Sequence, residues 1–202
     1  MATHIPIRCR CGLLEGRLES PQRATRLVCY CRDCQAFARF LGHPEATLDA
    51  DGGTEIVAAR PSDLHITRGA DQLRCMSLSP QGLLRWYTGC CRTAIGNTPR
   101  DARFAYVGLI HDVLSAAGDQ RDAVFGAGRA AVNTASAARP IRSTPLAMTS
   151  AMVKIMRNVL GARLARTTGR TPFFKPGTAE PVVQPQVVSR ETRQALLQSP
   201  GS

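Results

Sequence analysis

Along the first 110 positions, apolar residues come in short bursts separated by Gly, Pro and Asp. The pattern predicts strands over Ile5–Arg10, Leu13–Leu18, Thr25–Tyr30, Thr54–Ala58, Asp63–Thr67, Gln72–Leu78, Leu83–Thr88 and Ala105–Ile110. Turn residues fall between them, as in Asp51-Gly-Gly and Ser79-Pro-Gln-Gly. So many short, half-apolar runs predict a mainly β fold built from packed sheets. One short helix is expected over Arg32–Phe40, with Cys34 in its first turn.

After residue 115 the pattern changes. Residues 116–140 are rich in Ala and Gly and nearly devoid of large apolar groups, which predicts a linker or a loose helix. Ser143-Thr144 followed by Pro145 is a helix start, with a hydroxyl cap and proline in the first turn. Leu146, Met152, Met156, Val159, Leu160 and Leu164 then recur at helical spacing, predicting a helix over about 145–166. Lys154 and Arg157 lie on its other side, and Arg163 would intrude on the apolar face, so a bend or end is expected near Gly161. Such a stripe could rest on a membrane surface, but packing against the β domain is the expectation. Thr171-Pro-Phe-Phe and the Pro/Val run from 181 to 188 predict an extended strap, with a last short helix over Ser189–Gln198. The chain therefore divides into a β domain, 1–115, and an extension, 116–202.

A length of 202 residues fits one domain plus that extension. The opening residues carry no apolar signal core, and no stretch approaches the roughly 18 apolar residues that span a bilayer. A soluble cytoplasmic protein with reduced thiols is expected. The net charge of +11 is uneven. Residues 1–115 hold 14 Arg against 11 Asp and Glu, a net of +3, and the remainder carries +8. No nucleic-acid reading module accompanies this charge, so a nucleic-acid partner is not expected.

The cysteines change the picture most. Cys9-Arg-Cys11, Cys29-Tyr-Cys31-Arg-Asp-Cys34 and Cys90-Cys91 account for seven of the eight. Thiols this close, where disulfides do not form, are suited to holding zinc. Cys29, Cys31 and Cys34 can converge from a strand end and a helix start, leaving a fourth position open; a further thiol such as Cys75 would close it. Cys9 and Cys11 need partners from elsewhere, and Cys90 and Cys91 are available. Both could serve only if the chain turns there, since neighbours on a strand face opposite ways. Cys75 itself reads as a buried small hydrophobe. The four histidines show no i, i+4 pair. Gly126-Ala-Gly128 matches a dinucleotide fingerprint in letters only, lacking a strand before it and an acidic residue after it.

CRCG at 9–12, CYCRDC at 29–34, the Ile56–Thr67 strand pair and RWYTGCC at 85–91 resemble, in order, the GFA domain family. That family is named for glutathione-dependent formaldehyde-activating enzyme and includes centromere protein V. The resemblance covers about residues 5–112. It implies a zinc-stapled, β-tent-like sheet domain with two zinc ions. One would be structural, on Cys9, Cys11 and the late cysteines Cys90 and Cys91; the other would be catalytic, on Cys29, Cys31 and Cys34. It also implies glutathione as cosubstrate and carbon–sulfur lyase activity on an aldehyde adduct such as S-hydroxymethylglutathione. Arg32 and Arg39 flank the triple and either pair with glutathione carboxylates or are ordinary surface arginines. The chain departs from the family where Phe-Cys-x-x-Cys-Gly is usual: Thr88 takes the first Cys position, Arg92 replaces the glycine, and Cys90 is extra. The alternative is a non-catalytic zinc domain whose basic extension binds a protein or nucleic-acid partner.

Overall fold

A computed structural model describes residues 4–115, 118–125, 130–142 and 145–198, with the side chains of 118–121 left aside. Three short strands form a small antiparallel sheet: β1 (His4–Arg8), β2 (Glu15–Glu19) and β5 (Leu64–Arg68), in the order β1-β2-β5. The large sheet takes β3 (Thr25–Cys29), β4 (Thr54–Ala59), β6 (Leu73–Ser77), β7 (Leu84–Thr88), β8 (Ala94–Thr98), β9 (Val107–Ile110), β10 (Ala130–Val132) and β11 (Gln186–Val187). Its order is β10-β3-β4-β9-β8-β7-β6-β11, antiparallel except at the two edges. The helices are α1 (Arg32–Leu41), α2 (Pro44–Thr47), α3 (Gly118–Phe125), α4 (Pro145–Leu164) and α5 (Arg190–Gln198). Mainly β with two sheets and a few helices is thus what the apolar bursts produce.

The two-residue period of the strands divides the core. Val57, Leu73, Cys75, Leu84, Trp86, Ile95, Val107 and Leu109 point toward the small sheet and meet Ile5, Ile7, Leu18 and Leu64. Ile56, Ala58, Met76, Tyr87, Ala94 and Ile110 point the other way, under the helices. Covered on both faces, β7 is buried throughout, whereas β1 alternates exposed and buried positions.

Strand β8 escaped the apolar pattern because its sequence, Ala-Ile-Gly-Asn-Thr, contains one large apolar group. Tertiary fit explains it: a Cβ on Gly96 would stand 2.7 Å from the Gly108 carbonyl oxygen of β9. Glycine is what lets the two strands lie together.

Residues 116–140 are not a plain linker. Their described part contains α3 and β10, and β10 pairs in parallel with β3 at one sheet edge. Beyond them, Phe173 is fully buried, its ring 4.8 Å from Trp86. Phe173 and Phe174 of the strap thus lie against the core while Val182 and Val187 are exposed, and β11 closes the other sheet edge. The Ser143-Thr144 cap and Gly126-Ala-Gly128 fall outside the described residues.

Helix α4 corrects the expected packing. Its buried side is made of Ala147, Ala151, Ile155, Val159 and Ala162, which sit on β3, β4 and β10. Of the expected stripe, only Val159 is buried; Leu146, Met152, Met156, Leu160 and Leu164 face outward. Small side chains allow the helix backbone to approach the sheet, and they carried little weight in the apolar pattern. The helix also continues past Gly161 to Leu164, because Arg163 lies on its outward side and meets no core.

Candidate metal centres

The first cysteine group is assembled from two loops. Cys9 and Cys11 follow β1 in a turn closed by Gly12 N–H donating to the Cys9 carbonyl, 2.9 Å. Gly12 adopts a left-handed φ of 76°. Cys90 and Cys91 follow β7, where Arg92 N–H donates to the Thr88 carbonyl at 2.9 Å and Arg92 takes φ 53°. This turn releases Cys90 and Cys91 from strand geometry, so both thiols reach one side. The Sγ separations are 3.5 Å for Cys9–Cys11, 3.3 Å for Cys11–Cys90, 3.9 Å for Cys9–Cys90 and 3.8 Å for Cys90–Cys91. All four sulfurs lie within 4.8 Å of one another and could hold a metal ion.

The surroundings set the charge of this group. Leu14 N–H donates to Cys9 Sγ at 3.2 Å. Burial pushes the Cys9 thiol up, and burial together with Cys11 pushes Cys90 up to about 12. Burial also works against the Cys91 thiolate, but hydrogen bonds with the Thr88 and Thr93 hydroxyls, 3.4 and 3.1 Å away, outweigh it and bring Cys91 down to about 5. Thr88 occupies a position where the resembled pattern has a cysteine, and here it supports Cys91 with a hydroxyl.

The second group is Cys29, Cys31 and Cys34, whose sulfurs also lie within 4.8 Å of one another. Cys29 ends β3, Cys31 caps α1, and Cys34 sits in the first turn, its N–H donating to Cys31 Sγ at 3.4 Å. The helix then runs to Gly42, whose φ of 83° ends it. Cys29 and Cys34 are buried and Cys31 is half-buried. Hydrogen bonds from Cys31 and Cys34 bring Cys29 down to about 2, and sharing with that thiolate raises the other two. Cys75 takes no part. It lies buried on the opposite face of the sheet, and burial pushes its thiol up to about 12. No histidine, carboxylate or fourth thiol joins the triple among the described residues.

Several neighbours of the triple were not singled out in the sequence. Arg85, 3% exposed, places Nη1 4.0 Å from Cys34 Sγ and donates to Asn97 Oδ1 at 3.1 Å. Its guanidinium also lies over the Phe37 ring, 5.4 Å from the centroid, and 3.9 Å from the Asp33 carboxylate. Asn133, from the loop after β10, donates from Nδ2 to Cys29 Sγ at 3.3 Å and holds a left-handed φ of 56°. The Tyr106 phenol packs nearby, and burial pushes it up to about 12. Only an arginine inside an otherwise buried strand gave any signal, since every other residue of β7 would be at home in a core.

A cavity of about 740 Å³, within the size range of small-molecule sites, is walled in part by α1, though none of the three cysteines lines it. Gln35, Arg39, Glu45, Asp49, Asp51 and Ser136 are among its walls. Gln35, next to Cys34 in the chain, donates from Nε2 to the carbonyls of Tyr30 and Ser136 at 3.2 and 2.9 Å. Arg39 reaches the Leu196 carbonyl at 2.9 Å. Arg32 is exposed on the first turn of α1 and is not among the lining residues.

The chain is a member of DUF6151, a family of unknown function, whose model matches residues 1–184. A crystal structure of a Rhodobacter sphaeroides protein, a structural-genomics target, is similar at 22% identity and a TM-score of 0.39, over 57% of this chain and 93% of that one. No curated protein matches the chain.

Proposed function

We propose that both cysteine groups are zinc sites and that the open one captures a thiol for GFA-like carbon–sulfur lyase chemistry. Zinc–thiolate bonds of about 2.3 Å arranged as a tetrahedron put the sulfurs about 3.8 Å apart. The 3.3–3.9 Å separations around Cys9, Cys11, Cys90 and Cys91 fit that geometry, and four thiolates would complete the shell. Such a site would act as a staple, in keeping with a β-tent-like domain.

The observation that carries the functional part is the incomplete triple of Cys29, Cys31 and Cys34. Zinc on three thiolates has a formal charge of −1, so when bound it would favour holding an incoming thiol as thiolate over making hydroxide. The protein's own groups would do the rest. Arg85 offsets the sulfur charge and Asn133 fixes Cys29. Arg39 offers a cation to a glutathione carboxylate, and Glu45 on the same cavity wall offers a carboxylate to its ammonium group. In the forward direction the thiol sulfur bonds to the aldehyde carbon and the thiol proton ends on the former carbonyl oxygen. The reverse direction breaks that carbon–sulfur bond. Arg32, remote from the cavity lining, keeps the reading of a surface arginine.

Elemental analysis with and without glutathione tests the reading. Two zinc ions per chain are expected, with a glutathione-induced rise in melting temperature that Cys31→Ser abolishes and Arg39→Ala reduces. Absence of zinc, or a melting temperature indifferent to glutathione in the zinc-loaded protein, would remove the lyase.

A further inference from the structure

We propose that α4 docks this protein on an anionic lipid surface. The helix is apolar on two sides for two reasons. Its small residues pack on the sheet, while its larger ones, Leu146, Met152, Val153, Met156, Leu160 and Leu164, share one outward arc. Leu146 is 88% and Leu164 78% exposed, and the four between them are 47–57% exposed. At 100° per residue that arc spans less than half the helix circumference and lies opposite Ala151 and Ala162. Arg157 stands at one margin of it, and Arg163 and Thr149 fall among its apolar members, all three exposed. An exposed apolar strip with long basic side chains on and beside it is compatible with helices that lie in the headgroup region, where such side chains reach to phosphates.

Charge selects the occupant. Between Asp122 and Glu180 the sequence contains nine Lys and Arg and no carboxylate, although Arg139 is paired with Asp51 at 2.6 Å and Lys175 with Glu180 at 2.6 Å. Arg163 does feel Asp101, but Asp101 is paired with Arg103 at 2.9 Å. A second copy of the same helix would bring Arg157 and Arg163 against their own counterparts, whereas an anionic leaflet neutralises them. With 20 residues at about 1.5 Å rise, α4 would lie some 30 Å along the surface. No helix among the described residues is long and apolar enough to cross a membrane, so the contact is peripheral. This inference is independent of the metal reading, because the docking arc faces away from the cysteine triple.

Co-sedimentation of the full chain with vesicles tests it. Binding is expected to vesicles of phosphatidylcholine with phosphatidylserine and not to phosphatidylcholine alone, and salt should weaken it. Met156→Glu with Leu160→Glu should reduce binding at least about tenfold, as should Arg157→Gln with Arg163→Gln to a smaller degree. These positions are exposed, so an unchanged melting temperature certifies the fold of each variant. Failure to bind either vesicle would overturn the proposal, as would equal binding by the Met156/Leu160 variant. So would light scattering that finds a dimer which this variant dissociates, since a second copy would then cover the arc.

Discussion

The two cysteine groups use the same donor atom and differ in almost everything around it. Cys9, Cys11, Cys90 and Cys91 tie the loop after β1, in the small sheet, to the loop after β7, in the large one. Two of these thiols are exposed, and their neighbours are hydroxyls and backbone amides. The triple lies within one strand–helix junction, is mostly buried, and has a guanidinium and a carboxamide turned toward it. Joining distant pieces of chain reduces the freedom of the unfolded state, which is a structural duty. A local triple links little, and with a metal bound it would leave a position open for a ligand. In the proposed reading, the difference in contact order, more than the number of sulfurs, would separate a staple from a reactive centre.

Breaking each group should therefore have unequal results. Cys9→Ser should cost the most: structural zinc contributes on the order of 10 kcal/mol in small domains, so loss of the cooperative thermal transition is expected by calorimetry. Cys31→Ser should leave that transition in place and lower the zinc count from two to one. If both variants melt alike, the distinction fails. A chelator titration followed by elemental analysis should next show the triple emptied before the four-thiolate group, with the folded signal in circular dichroism outlasting the first loss.

Smaller effects sharpen the contrast. Arg85→Met keeps the side-chain volume but removes the cation beside Cys34, so metal affinity at the triple should fall by roughly 10- to 100-fold, with the other group unaffected. Competition against a zinc indicator would read both affinities. Asn133→Ala removes one hydrogen bond to Cys29 and should lie at the lower end, about tenfold. An equal change at Cys9 and Cys11 would show that the variant acts through general destabilisation instead.

Much of this was legible in the chain. Strands such as Thr25–Cys29 and Leu73–Ser77 announce themselves because an alternating or continuous apolar run has few other uses. The cysteine spacings were equally readable, since ligands two or three residues apart meet without help from the rest of the fold. Helix α4 shows where periodicity misleads: the stripe was real, but its larger members faced solvent and alanines made the contact. Strand β8 had no pattern to find, because its place depends on Gly96 fitting against Gly108.

By itself the sequence determined the mainly β architecture, the boundaries of α1 and α4 to within a few residues, and, through local spacing, the Cys29–Cys31–Cys34 triple and the Cys9–Cys11 pair. Only the tertiary structure decided that Cys90 and Cys91 both reach Cys9, that Arg85 and Asn133 attend the triple, and which side of α4 is covered. Those outcomes join residues about 50 to 100 positions apart. Spacing governs what near neighbours can do, whereas distant partners are chosen by the packing of whole sheets and helices.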